Sequence, residues 1–293
     1  MMQLTIQNLT KTYPGRRGSE PVHALNNVSL TIGQGLFGLL GQIGAGKSSL
    51  MRTIATLQPP DDGRILFNDL DVLARPDDFR QVLGYLPQEF GVYPTATATE
   101  LLDHIADLKG YATRADRRFI TEDLLRRVNL WDVRKRPLGT FSGGMRQRFG
   151  IAQALVGEPQ VIIVDEPTAG LDPAERNRFY NLLAEIGENT VVLLSTHLVE
   201  DVSTLCSQMA VLNRGTVLAV GEPRLIMSQL AGRLWEKSIP KTELDRYQTR
   251  FVVISHRYFS GQLFVTLLAD GQPDRSSTAK TPTLEDAYFA AIR

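Results

Sequence analysis

Glycine fits poorly inside helices and strands alike. Three glycines within eight residues, wedged between an apolar strand and an apolar helix, therefore leave few folds open. The stretch is GQIGAGKS, residues 41–48. It follows LFGLL, a short run that reads as a buried strand, and precedes SLMRTIATL, whose apolar residues recur at helical spacing. The pattern is G-x-x-x-x-G-K-[ST], and the strand-to-helix setting is what gives it meaning. Glycines let backbone N–H groups wrap phosphates, and the positive end of the following helix adds attraction. Lys47 is placed to reach the β- and γ-phosphates of a nucleotide, and Ser48 to hold Mg²⁺. The plain alternative is a glycine-rich turn with a solvated lysine.

Around this stretch, strand and helix patterns alternate. QLTIQNLTKTY and NNVSLTI read as strands separated by a polar loop. RILFNDLDV is expected to form one strand, and VLGYLPQ another that ends at Gln88. From about Thr99 to Arg136 the chain turns charged and helically periodic, as a helical insertion would. VIIVD, TVVLLST, MAVLN and TVLAVG restore the strand pattern, with PAERNRFYNLLAEI as a helix between two of them. Such alternation implies a parallel, doubly wound sheet. The character shifts again after Pro223, where FVVISH and GQLFVTLLAD look like paired strands and Thr283 could cap a closing helix, TLEDAYFAAI. The expected division is 1–222 for the main unit, with a helical subdomain at about 90–150, and 223–293 for a small α+β appendage.

Lys plus Arg equals Asp plus Glu at 32 each, which argues against bulk nucleic-acid binding. The single cysteine, Cys206, has no partner for a disulfide or a metal cluster and is expected to be a small buried apolar residue. Every apolar run is well short of the ~18 residues of a membrane span, and no leader pattern opens the chain. A soluble protein is expected.

Several polar residues sit where strands end, the edge at which open parallel sheets bind ligands. Asp165 and Glu166 close VIIVDE: the first suits a magnesium shell, and the second could take a proton from an attacking water. Two solvated acids are the alternative. His197, beyond LLST, could contact a γ-phosphate or be structural, while His23, His104 and His256 carry no such context. Gln88 could meet Mg²⁺ or be a surface residue, and Tyr13 could stack on adenine or be a half-buried tyrosine at a strand end. FSGGMRQR opens a helix with Ser142, Gly143 and Gly144, yet no chemistry lies beside them in sequence.

Taken together and in order, these elements resemble an ATP-binding cassette ATPase: Tyr13, the loop at 41–48, Gln88, the signature SGGM, Asp165–Glu166, AGLDP at 169–173 and the switch histidine His197. The resemblance covers roughly residues 4–221. It implies a P-loop core with a mostly parallel sheet and flanking helices, an antiparallel β subdomain and a helical subdomain. It implies ATP and Mg²⁺ as ligands. Nucleotide contacts would come from Tyr13, Gly41, Gln42, Gly44, Ala45, Gly46, Lys47, Ser48, Ser49, Ser142, Gly143, Gly144 and Asp172. Ser48, Gln88 and Asp165 would serve the metal, and Glu166, His197, Gln88 and Lys47 the catalysis. In this family two cassettes pair head to tail, so the signature residues would face the γ-phosphate held by a second copy, which accounts for their isolation. Ile43 stands where the family usually has Asn, and Met145 where Gln is common.

The ending TPTLEDAYFAAI is similar to bacterial ATPases that serve a separately encoded exporter permease. That implies an exporter subunit, a homodimer in its working form, held peripherally at the cytoplasmic face of the membrane. A soluble cassette ATPase acting on ribosome or DNA, and an importer or regulatory subunit, are the alternatives. Phe90, Val92 and Tyr93 could be the permease-docking surface or core.

Overall fold

The structure, a computed structural model, describes residues 2–15, 20–168 and 171–293. Strands β1 (Gln3–Tyr13) and β2 (Val22–Gly33) pair antiparallel from Gln3↔Gly33 to Tyr13↔Val22. Period-2 burial of Val28, Leu30 and Ile32 is what one covered face requires. Strand β3 (Gly35–Leu40) then runs into helix α1 (Lys47–Ile54). Strand β4 (Asp62–Phe67) pairs with β1, and the two-residue β5 (Leu70–Asp71) pairs with β4. RILFNDLDV is thus two strands, because Asn68 turns the chain at φ +50°, a conformation asparagine tolerates better than most residues.

Helix α2 (Pro76–Gln81) leads to β6 (Leu83–Leu86). This strand stops short of Gln88, since Pro87 has no N–H to give to a ladder. Helices α3 (Ala98–Leu108), α4 (Arg114–Arg127) and α5 (Gly143–Leu155) form a helical layer. Thr97 starts α3 with a reciprocal capping box to Glu100. Then come β7 (Val161–Asp165), α6 (Pro173–Gly187), β8 (Val191–Thr196), α7 (Val199–Leu205), β9 (Gln208–Asn213) and β10 (Thr216–Gly221).

The central sheet has the order β10-β9-β3-β8-β7-β6. It is parallel from β9 to β6, and β10 joins antiparallel. In β7, Val161 and Ile163 point into one core, shared with β1, β2 and α1, while Ile162 and Val164 point into another, shared with the helical layer. Both faces are covered, which is why these strands read as unbroken apolar runs.

The last part holds α8 (Pro223–Ser228), β11 (Leu234–Ile239), α9 (Leu244–Arg250), β12 (Val253–Phe259), β13 (Gln262–Leu268), β14 (Thr278–Ala279) and α10 (Leu284–Ala291). The antiparallel order is β12-β13-β11-β14, and Ser260 and Gly261 turn the hairpin with positive φ at both positions. Ile239, Tyr247, Leu263, Val265 and Leu267 form its small core. Helix α10, capped by Thr283 as expected, leaves that core: Leu284, Ala287 and Tyr288 join Val202 and Cys206 of the larger one. Cys206 is buried, and burial pushes its thiol up to about 12. Among the described residues, no helix is long and apolar enough to cross a membrane.

Candidate active site

The carboxyl ends of four neighbouring strands, β3, β8, β7 and β6, deliver four groups of residues to one edge of the sheet. β3 ends in the loop at 41–48. Gly41 donates its N–H to the Thr196 carbonyl at 3.3 Å, and Ala45 donates to Gln42 at 3.1 Å. A Cβ on Gly41 would lie 2.5 Å from the Leu212 carbonyl oxygen. Gly46, at φ +108°, admits no side chain either, since a Cβ there would lie 2.3 Å from the Ala24 carbonyl oxygen. The loop is propped by the β9–β10 turn: Gly215 donates to Ala45 at 2.9 Å, and Gln42 Nε2 to Asn213 Oδ1 at 3.3 Å. The Gln42 N–H also faces the Tyr288 hydroxyl of α10, and burial raises the pKa of that phenol. Nothing in the sequence pointed from the C-terminal helix to this loop.

Lys47 opens α1 and is buried. Its Nζ donates to the Gly41 carbonyl at 2.7 Å and the Gln42 carbonyl at 3.3 Å, and lies 3.1 Å from Glu166 Oε1. The other carboxylate oxygen of Glu166 is 3.0 Å from His197 Nδ1 and accepts from Gln88 Nε2 at 3.4 Å. Glu166, His197, Gln88 and Lys47, chosen separately along 151 positions of sequence from 47 to 197, thus meet at one carboxylate. Glu166 holds φ +47°, a left-handed backbone that costs a non-glycine residue on the order of 1–3 kcal/mol. Its N–H bond to the Ser195 carbonyl at 3.0 Å and its ion pair hold it there. Asp165 is buried beside it and accepts from the Ser195 hydroxyl.

Ser48 and Ser49 lie half-buried in the first turn of α1. The Tyr13 hydroxyl donates to Gln58 Oε1 at 2.8 Å and sits 3.4 Å from Ser49 Oγ, so its ring stands beside that turn. Ser48, Asp165 and Gln88 offer only oxygen donors of the hard kind that Mg²⁺ prefers, and few of them, as suits an ion that keeps waters and phosphate oxygens.

Among the described residues, no hydrogen bond or ion pair joins the signature residues to this cluster. Ser142 caps α5 by accepting the Met145 N–H at 3.2 Å. Ser142 and Gly143 are exposed, and a Cβ on Gly143 would meet nothing within 4 Å. Gly144 has a different reason to be glycine: a Cβ there would fall 2.9 Å from Glu175 Oε2, on α6. Glu175 in turn pairs with Arg148 of α5 at 3.3 Å. Asp172 caps α6 through the Glu175 N–H at 2.8 Å, while Ala169 and Gly170 of AGLDP lie outside the described residues. Of the three residues after Gln88, Phe90 and Val92 pack on the larger core and Tyr93 is exposed.

A phosphate loop, an acid pair and a histidine on adjacent strand ends, with a separate helix opened by SGG, is the arrangement of one family, and comparison with known proteins agrees. A family model described as ABC transporter matches residues 25–169. The chain belongs to the ABC ATPase family. It is 32% identical over 98% of its length to the probable multidrug ABC transporter ATP-binding protein YbhF of Escherichia coli, and 34% identical over 78% to ABC transporter A family member 7 of Arabidopsis thaliana. It spans 51% of the length of the first and 25% of the second. Among solved structures, it resembles the dimeric ATP-binding cassette MJ0796 in a post-hydrolysis state bound to ADP and Pi. That likeness has a TM-score of 0.68 at 26% identity, covering 75% of this chain and 98% of that one. A second solved structure of MJ0796, described as a dimeric bacterial ABC transporter cassette, gives the same TM-score at 27% identity.

Proposed function

We propose that this ABC ATPase chain binds and hydrolyses MgATP as the energising subunit of an exporter. In this reading it pairs with a second nucleotide-binding subunit, most simply its own copy, and drives a separately encoded permease from the cytoplasmic face of the membrane. The observation that carries the reading is the Glu166 carboxylate held between Lys47, His197 and Gln88 on the phosphate-binding edge of the sheet.

In the proposed reaction the loop at 41–48 and Lys47 hold the β- and γ-phosphates. When bound, Mg²⁺ neutralises developing charge on the phosphates, and Ser48, Asp165 and Gln88 are the residues that would hold it. Glu166 orients water for in-line attack and accepts its proton. His197 fixes the Glu166 carboxylate and adds a donor toward the γ-phosphate. Ser142, Gly143 and the N-terminus of α5 supply the same service to a nucleotide on another copy. Their exposure favours that arrangement, as does the dimeric state of the solved MJ0796 cassette. The exporter role rests on the PTLEDAYF ending and on likeness to a protein named as a multidrug transporter subunit.

Glu166→Gln tests the reading. It should slow hydrolysis by at least ~10²-fold while ATP binding persists and the ATP-loaded pair becomes long-lived in size-exclusion chromatography. Near-normal turnover removes the assigned base.

A further inference from the structure

A second buried polar set lies behind the cluster, and the assignment above leaves it unused. Asp201, on α7, is 0% exposed. Its Oδ2 accepts from the Thr168 hydroxyl at 2.8 Å and the Thr196 hydroxyl at 2.6 Å, and its Oδ1 from the Tyr180 hydroxyl at 2.5 Å. Three hydroxyl donors converge on a buried carboxylate for which no cation comes within ion-pair distance among the described residues. A buried carboxylate is costly unless its oxygens are satisfied, and here these charge-assisted bonds do that. Burial first, and the bond to Asp201 second, raise the Tyr180 pKa, so the phenol keeps the proton it donates.

The donors come from chosen places. Thr168 lies two residues beyond Glu166, and Thr196 immediately before His197. The Thr196 hydroxyl also accepts the Leu198 N–H at 2.9 Å, so it is held from both sides and pins the backbone on each flank of His197. One carboxylate therefore anchors the chain beside both residues whose side chains meet at 3.0 Å. Tyr180, on α6, shares the carboxylate but lies off that path.

We propose that Asp201 is a positioning residue: it fixes Thr168 and Thr196 so that Glu166 and His197 meet in their working geometry. It touches neither nucleotide nor metal. The inference rests on the roles given to Glu166 and His197 above.

The test uses the full chain and three readouts: ATP turnover at saturating ATP, equilibrium ATP binding and the melting curve. Asp201→Ala should lower kcat by at least ~10-fold, because small misplacements at a reacting centre are costly, with the ATP dissociation constant within about twofold of wild type. Asp201→Asn keeps one oxygen for both threonines and turns its amide to the Tyr180 oxygen, and should recover kcat to within about threefold. Thr196→Val, close in shape, should repeat the kcat loss without relying on Asp201→Ala to fold, and combining the two should add little. Tyr180→Phe should lower the melting temperature and leave kcat near wild type. A folded Thr196→Val with wild-type kcat overturns the proposal. So does a folded Tyr180→Phe protein that loses as much turnover as Thr196→Val, since the loss would then not run through the threonines that flank Glu166 and His197. If Glu166→Gln and His197→Ala also turn over normally, the site assignment has failed instead.

Discussion

The Lys47–Glu166 pair sets a number that can be worked out and measured. The two groups are 3.1 Å apart, with side chains only 4% and 9% exposed. At an effective dielectric of ~20, their attraction is about 5 kcal/mol. Each keeps other partners when the opposite charge is removed: Lys47 the carbonyls of Gly41 and Gln42, Glu166 the side chains of His197 and Gln88. Those partners absorb part of the loss, so a coupling energy of about 2–4 kcal/mol is expected, in the range of close buried pairs. Lys47→Met and Glu166→Gln should each destabilise the protein, and the double variant should be more stable than the sum of the two losses predicts by that amount. Equilibrium urea unfolding of the four proteins, without added nucleotide, gives the cycle directly. Repeating it with saturating MgATP should shrink the coupling, because phosphate then shares the Lys47 charge. A coupling below ~0.5 kcal/mol in the first cycle would refute the argument that these two side chains form one preorganised unit.

Two further predictions concern other parts of the chain. Gly144→Ala should cost on the order of 1 kcal/mol, because the new Cβ meets Glu175, whose place is fixed by Arg148 and Arg178; Glu175→Ala in the same chain should recover most of it, and urea midpoints would show the difference. In the C-terminal sheet, the Lys237 ammonium bonded to Asp274, followed by the bonds from Ser276 and Tyr247, holds that carboxyl well below the usual carboxylate range. A lowered folded-state pKa gives stability that is complete above about pH 4 and is lost as pH falls below it. Hydrogen exchange in β11 and β13 should therefore accelerate between pH 4 and pH 2 beyond the intrinsic trend, and Asp274→Asn should flatten that response.

Much of the fold was legible because its signals are local. The runs LFGLL, VIIVD and VVLLST are apolar on both faces, as a covered parallel strand requires, and site residues lie at or directly after the end of each. Thr283 announced its helix because capping is a matter of three residues. What stayed hidden depends on tertiary placement. RILFNDLDV reads as one strand, since asparagine's tolerance of positive φ is a permission and not a demand. Gly144 looked like a glycine reserved for a ligand, and its nearest neighbour is Glu175, 31 residues later in the sequence. Asp201, one acid among 32 and on the flank of a short helix, carried no local mark of burial; only the convergence of three hydroxyls reveals it. The docking of α10 on the larger core, with Tyr288 at the Gln42 N–H, is likewise a contact between distant segments.

In the proposed dimer each catalytic pocket draws one half from each of two molecules. Mixing a Lys47→Ala copy with a Ser142→Arg copy, each carrying a different affinity tag so that mixed pairs can be isolated, tests it most directly. One intact composite pocket should form per mixed pair, and hydrolysis should rise well above that of either variant alone. Isolated mixed pairs no more active than the separate variants would contradict it.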